Sequence, residues 1–328
     1  MSCKDISIIV PSHKANSLLY NLLNAIARQQ PAPGEFILVL DGITETVLLP
    51  EMPFPSKILV NDGRPGAAET RNKGAKEARG QYLFFLDADV LPEPELVGKT
   101  ADMIEKDPAI DAWFGSYDHS PSQTNFYSQY KNLFNHYIHQ HSSPDALTFW
   151  SACGLIKKNV FEKTGGFDNR YRMLEDIELG YRLKEKGYTL KLNKELQVKH
   201  QKKWTFLSLI HSDIFDRAIP WTRLLLRYHH MGSKDLNLQM HARFSFLLVV
   251  LLLISTGIVF IYPLIGLALA AGSVISLLVL NQKLYAFFSK KGVWFLVRAI
   301  LMNWLYYLYS GVSFILAMTG YYLFRKKI

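Results

Sequence analysis

The chain has 328 residues, 49% of them hydrophobic, and a formal net charge of +9. That length holds one sizeable core with appended segments. Two cysteines, Cys3 and Cys153, exclude a disulfide framework and fit a reducing compartment. The N-terminus lacks the basic-then-apolar pattern of a secretory signal. The positive charge is concentrated. Seven Lys or Arg (199, 202, 203, 217, 223, 227 and 234) stand against two acids, Asp213 and Asp216, just before a long apolar run. Each basic residue there gains about 1 kcal/mol from anionic lipid head groups, so the charge points to membrane lipids and not to nucleic acid.

In chain order, "DISIIVPSHKA" predicts a short buried strand ending near Pro11. "NSLLYNLLNAIARQ" places Leu18, Leu19, Leu22, Leu23, Ile26 and Ala27 at helical spacing, with Asn16 or Ser17 as N-cap. "EFILVLDG" and "SKILVND" predict strands ending in Asp41 and Asp62. "PGAAETRNKGAKEARG" reads as a helix opened by Pro65 and Gly66, and "QYLFFLDAD" as a fourth strand ending in Asp87 and Asp89. Pro92 and Pro94 discourage the chain from continuing as strand. "EPELVGKTADMIEKD" predicts a helix, "AWFGSYD" a strand and "NFYSQYKNLFNHYIHQH" an amphipathic helix. "TFWSACGLIKKNVF" reads as a strand and a turn, and "TGGFDNRY" as a glycine-rich loop. "EDIELGYRLKEKGY" predicts a helix ending at Gly187, and "TLKLNKELQVKH" two short strands ending at His200. Alternating strands and helices over residues 1–203 imply an α/β domain with a mostly parallel, Rossmann-like sheet covered by helices. Ligands bind such sheets beyond the carboxyl ends of the strands, where Asp41, Asp62, Asp87 and Asp89 fall.

Residues 204–243 read as amphipathic basic helices in a membrane interface, interrupted by Pro220, with Trp204 and Trp221 as head-group anchors. Residues 244–280 carry no charged residue or histidine. The run is too long for one span, and Tyr262-Pro263 divides it into spans at 244–261 and 263–280. A third span is predicted at 296–323, where Arg298 is the one charge. The basic cluster marks its side as cytoplasmic. Three spans place Arg325, Lys326 and Lys327 on the opposite side, whereas two or four keep them with the cluster.

Two carboxylates one residue apart at a strand end can share a hard divalent cation such as Mg²⁺ or Mn²⁺, or form a solvated turn. Glu175 and Asp176 suit the positive end of a helix or a reactive role. His136, His139 and His141 lack the i,i+4 spacing of a zinc helix and read as a polar helix face.

"SIIVPSHKA", "LVLDG", "PGAAETRNKGA", "FFLDAD", "TGGFD" and "LEDIELGYRL" occur in this order between Ile6 and His200. Together they resemble the family 2 glycosyltransferases of GT-A fold. The resemblance implies an inverting, metal-dependent enzyme that uses a nucleotide-diphosphate sugar donor and Mg²⁺ or Mn²⁺. Pro11 and Ser12 would line the nucleotide pocket, Asp41 and Arg71 would meet the base, and Asp87 the ribose. The family often has two acids where this chain has Leu40-Asp41. Asp89, with Asp87, would hold the metal. His200 would reach the metal or diphosphate, or serve as a hydrogen-bonding residue. Asp176 would be the general base and Glu175 its neighbour, setting orientation or pKa. Asp62 fits a loop cap at least as well as a site.

The appended helices add a lipid-linked acceptor, polyprenyl phosphate or a glycolipid of envelope glycan synthesis. They also add an inner-membrane, multi-pass location with a cytoplasmic catalytic domain. Trp221 is either an acceptor contact or a head-group anchor. Two further readings stay open. A processive polysaccharide synthase normally has more spans and a Gln-x-x-Arg-Trp segment, which is missing. A non-catalytic nucleotide-sugar-binding scaffold would not need the acids at 87, 89, 175 and 176.

Overall fold

A computed structural model describes residues 2–229 and 240–324. Lys234 and the basic group Arg325, Lys326 and Lys327 lie outside the described residues. The chain divides into two units, Met1–Lys203 and Trp204–Ile328.

The first unit has strands β1 (Ile6–Ser12), β2 (Glu35–Leu40), β3 (Ser56–Val60), β4 (Tyr82–Leu86), β5 (Val90–Pro92), β6 (Ala112–Tyr117), β7 (Cys153–Lys157) and β8 (Leu190–His200). Its helices are α1 (Ser17–Ala27), α2 (Ala67–Glu77), α3 (Leu96–Lys106), α4 (Phe126–His141), α5 (Lys158–Thr164) and α6 (Glu175–Glu185). One sheet runs in the order β3-β2-β1-β4-β7-β6-β8-β5. The pairs from β3 to β4 are parallel, while β7 runs antiparallel to both β4 and β6. β6 and β8 are parallel, and β5 closes the edge antiparallel to β8.

The burial follows from the sequence pattern. β2 and β4 are apolar almost throughout and buried at every position, as strands covered on both faces must be. Ile8, Phe36, Leu38 and Phe84 share one core with Leu19, Leu22, Leu23 and Ile26 of α1 and Leu96, Val97 and Ile104 of α3. The alternate residues Ile9, Ile37, Val39, Leu83 and Phe85 share the other with α2, α5 and α6. Each such side chain contributes about 1.5–3 kcal/mol on full burial. Gly74 lets α2 press onto the sheet, because a Cβ there would lie 2.5 Å from Ile9 Cγ2. Asn16 caps α1, its Oδ1 accepting from Leu18 N and Leu19 N at 3.1 and 3.2 Å.

Three details differ from expectation. Pro92 lies inside a strand, which is tolerated because β5 is the edge of the sheet. "TLKLNKELQVKH" forms one strand with a shift of register against β6 between Phe114 and Ser116. Asn193 closes the extra turn by accepting from Glu195 N and Leu196 N. The "KKNVF" turn is the start of α5.

The second unit starts with α7 (Phe206–His211), a π-helical segment at Ser212–Ala218 and α8 (Ile219–Arg227). The junctions keep right-handed helical dihedrals, so Pro220 does not interrupt the chain as expected. Pro220 sits in the first turn of α8, where its missing N–H matters least, and the wider π winding precedes it. Trp204 is buried, not presented as an anchor, whereas Trp221 is half-buried.

Helices α9 (Met240–Ile258), α10 (Pro263–Leu280), α11 (Gln282–Ser289) and α12 (Val293–Phe324) follow. Three of them, at 240–258, 263–280 and 293–323, are long and apolar enough to cross a membrane. The first ends at Ile258, before the expected 261, because residues 259–262 close a tight turn before Pro263. The third begins at Val293, before the expected 296. Tyr307 Oη donates to Asn281 Oδ1 at 2.6 Å, and Asn281 Nδ2 to Ser245 Oγ at 3.1 Å. These bonds tie α9 and α12 to the α10–α11 corner, and buried polar groups in such helices need partners of this kind.

Candidate active site

The acids converge through one arginine. Arg71 lies on the inner face of α2 and is 4% exposed. Its Nη2 donates to Asp87 Oδ1 at 2.6 Å, and its Nη1 to Glu175 Oε1 at 2.5 Å. A strand end and a helix start, 104 residues from Arg71 along the chain, are thereby joined. The expectation for Arg71 was the base of a nucleotide. In the structure both its terminal nitrogens are engaged by carboxylates. Burial opposes its charge, and Asp87 and Glu175 outweigh burial and hold its pKa above the ordinary value. Burial pushes the Glu175 carboxyl up to about 7 against the pull of Arg71, with the charge of Asp176 adding to the rise.

Asp87 and Asp89 flank a tight turn at the end of β4, closed by Val90 N donating to Asp87 O at 3.3 Å. β5 then pairs Val90 opposite His200 of β8. That register brings His200 Nε2 to 3.8 Å from Asp89 Oδ2. The imidazole stacks on Tyr117 with centroids 4.3 Å apart, and Tyr117 meets the edge of Trp150 at 4.7 Å. Burial works against the charge on Asp89, but His200 and Lys202 hold its carboxyl below the ordinary value.

Two donors about 2.1 Å from one cation must lie within about 4.2 Å of each other. Asp89 Oδ2 and His200 Nε2 meet that condition. Among the described residues there is no cluster of three or more His, Cys, Asp or Glu that could hold a metal ion by itself. The donor set therefore fits a cation completed by substrate oxygens and water, and does not fit a cage of protein ligands. Asp87 is less available, because Arg71 takes its Oδ1.

Asp176 starts α6 beside Glu175. Its Oδ2 accepts from Ser151 N at 3.1 Å and Ser151 Oγ at 3.2 Å. Leu174, at the helix entry, has φ 66, a conformation rare for a residue with a side chain. Such backbone gathers where surrounding structure imposes it, often at functional sites.

On the other flank, Asp41 accepts from Asn61 Nδ2 and from Gly66 N, both at 2.8 Å. It thereby holds the 61–66 loop and the start of α2, and keeps lone pairs for a ligand. Ser12 is buried, donates to Lys14 O at 2.9 Å, and with Pro11 forms the last step of β1 beside Asp41. Asp62 is exposed and pairs with Lys73, as a loop acid does. His136 Nδ1 bonds Tyr117 O at 2.7 Å, on a helix face and not in a metal cluster.

Sequence reasoning missed Asn72, Phe167 and Ser151. Asn72 Nδ2 donates to Phe167 O at 2.7 Å, and Phe167 N to Asn72 Oδ1 at 2.9 Å, so "TRN" grips "GGFD". Gly166, at φ 68, allows this, since a Cβ there would lie 2.7 Å from Asn72 Oδ1. The Arg71 guanidinium carbon sits 5.6 Å from the centroid of the Phe167 ring. In the sequence, Asn72 and Phe167 stand inside the motifs "ETRN" and "TGGFD", but their pairing is visible only in the structure.

An α/β sheet with acids gathered at its strand ends and at one helix start is the layout of a GT-A-type domain. The fold is shared with a mannosyltransferase, PcManGT of Pyrobaculum calidifontis, solved with GDP-Man and Mn²⁺. The two superpose with a TM-score of 0.57 at 15% identity, over 95% of this chain and 87% of that one. Residues 7–165 match the family described as Glycosyl transferase family 2, so the first unit carries a domain of that family.

An uncharacterized glycosyltransferase of Haemophilus influenzae is 30% identical over 200 residues, 58% of this chain and 66% of that protein. The O-antigen chain rhamnosyltransferase RfbN of Salmonella typhimurium is 25% identical, over 66% of this chain and 74% of its own length. The chain spans 66%, 50% and 16% of the length of the first three curated relatives it matches.

Proposed function

We propose that the chain transfers a glycosyl unit from a nucleotide-diphosphate sugar to a lipid-linked acceptor, with inversion at the anomeric carbon. The observation that carries this is the Arg71 bridge, which fixes Asp87 and Glu175 on one cation and so sets the Asp89 turn beside the Asp176 helix. Pro11, Ser12, Asp41 and the partly exposed carboxylate of Asp87 serve the nucleoside. Asp89 and His200 would hold Mn²⁺ or Mg²⁺, whose chemistry is to offset charge on the departing diphosphate. Asp176 takes the proton of the acceptor hydroxyl as its oxygen attacks the face opposite the leaving group. A phosphate acceptor is already a nucleophile and asks less of Asp176.

The solved mannosyltransferase, with its GDP-Man and Mn²⁺, supports the donor and metal. The Salmonella relative supports envelope glycan synthesis. Three membrane-length helices support a lipid-linked acceptor and a multi-pass location in the inner membrane, with the first unit on the cytoplasmic side.

The test uses the full chain in detergent with a panel of UDP- and GDP-sugars and Mn²⁺. Nucleoside diphosphate should be released, EDTA should stop it, and Asp89→Ala should lower it at least about tenfold. Equal rates in Asp89→Ala and wild type would remove the metal assignment. No release from any donor would leave the scaffold reading standing.

A further inference from the structure

Asp176 is bonded in a way that a helix-capping acid does not need. An acid in a first turn ordinarily turns back to the N–H groups of its own helix. Oδ1 of Asp176 does this, accepting from Ile177 N at 2.8 Å. Oδ2 instead leaves the helix and takes two donors from one residue, the N–H and the O–H of Ser151. Ser151 is 2% exposed and sits in the turn that feeds β7. We infer that Ser151 is a positioning residue that commits Oδ2 of Asp176 to the protein and leaves Oδ1 as the oxygen that takes the acceptor's proton. This rests on the reading of Asp176 as the base.

The count of lone pairs makes the assignment. Each oxygen of an ionised carboxylate accepts about two hydrogen bonds. Ser151 fills both places on Oδ2, whereas Ile177 fills one on Oδ1. The terminal torsion of an aspartate is broad and two-fold, so a carboxylate held by one donor can exchange its oxygens. Two donors on one buried residue prevent that exchange. In the reaction, the acceptor's O–H proton passes to Oδ1 and its oxygen bonds to the anomeric carbon. The bond from that carbon to the diphosphate oxygen breaks, and the electron pair leaves with the phosphate.

The same turn also reaches the donor side. Trp150, next to Ser151, meets the edge of Tyr117, on which the ring of His200 also stacks. One dipeptide thus touches the aromatic support of the Asp89 site and, through the next residue, the base.

The test measures nucleoside diphosphate release to water for wild type, Ser151→Ala, Ser151→Thr and Asp176→Asn, as full chains in detergent with saturating Mn²⁺ and the donor panel. Ser151→Ala keeps the backbone N–H and loses the hydroxyl. Its kcat should fall about tenfold with the donor KM unchanged. Ser151→Thr, which restores a hydroxyl, should recover most of that loss. Asp176→Asn should be nearly inactive. If Ser151→Ala turns over within twofold of wild type while Asp176→Asn is dead, the inference fails and the base reading stands. A raised KM at unchanged kcat would overturn it likewise, by moving Ser151 to donor binding. Wild-type rates in Asp176→Asn, or no release by wild type from any donor, would remove the base reading and the inference with it.

Discussion

The end of β4 and the start of α6 each present two acids, and each pair is divided in the same way. Arg71 takes Asp87 from the first and Glu175 from the second. The remaining acid of each pair has another support, His200 facing Asp89 and Ser151 bonding Asp176. The difference lies in solvent. The Asp87 side chain is 33% exposed and that of Glu175 only 8%. A ligand can reach the strand-end acid that Arg71 holds. The helix-start acid it holds is walled in, so in the proposed reaction Glu175 would serve the arrangement and not the substrate. One buried cation thus takes one acid of each pair and leaves the other, Asp89 or Asp176, for the roles proposed above.

Removing that cation has the largest expected effect. Arg71→Ala strips Glu175 of its partner in a buried site, a change that costs about 3–5 kcal/mol. For a unit of this size that is roughly a 6–20 °C fall in Tm by thermal shift of the full chain in detergent. Arg71→Lys should recover only part, since a point charge cannot serve two carboxylates through separate nitrogens. A fall under about 2 °C would mean that the two acids are held by something other than Arg71.

Next comes the split within the helix pair. Asp176→Asn should lose about 100-fold or more in turnover with a hydroxyl acceptor, at unchanged donor binding. Glu175→Gln should keep turnover within about tenfold, because an amide can still accept from Arg71. Equal losses would mean that both acids touch the chemistry and would break the division.

Much of this was legible in the sequence. The parallel half of the sheet announces itself because β1, β2 and β4 are continuous apolar runs that end in polar residues, and a chain covered on both faces has few other options. Asp87 and Asp89 stand out for the same reason, and Glu175 and Asp176 as adjacent acids at a predicted helix start. What was not legible depends on pairing across the chain. Pro92 argues against strand until β5 is known to be an edge, and the His200–Asp89 approach exists only through the Val90–His200 register. Arg71 read as a base contact through the family resemblance, because its place on a helix does not tell which carboxylates wait beside it. Ser151 carries no motif, and its role appears only when the turn before β7 meets α6.

Asn72 offers a smaller test of the support beneath the pairs. Asn72→Ala removes both bonds to the Phe167 backbone and leaves that backbone short of partners. The cost should be about 1–3 kcal/mol, less than for Arg71. Protease cutting near residues 165–169 should quicken in the variant, and unchanged cutting would show that the loop is held by its aromatic packing instead.

The smallest effect sharpens the contrast in solvent. Burial raises the Glu175 carboxyl from its ordinary 4.5 to about 7. A raised carboxyl means that the folded chain binds this proton more tightly than the unfolded chain does. Through this group, stability is greatest below about pH 4.5, declines as the pH rises to about 7, and is level above it. Glu175→Gln cannot titrate, and the other groups cancel when the variant is compared with wild type. The difference in Tm, variant minus wild type, should therefore climb between pH 5 and 7.5 by an amount on the order of 1 kcal/mol, or roughly 2–4 °C. A level difference across that range would show that Arg71 keeps Glu175 ionised throughout.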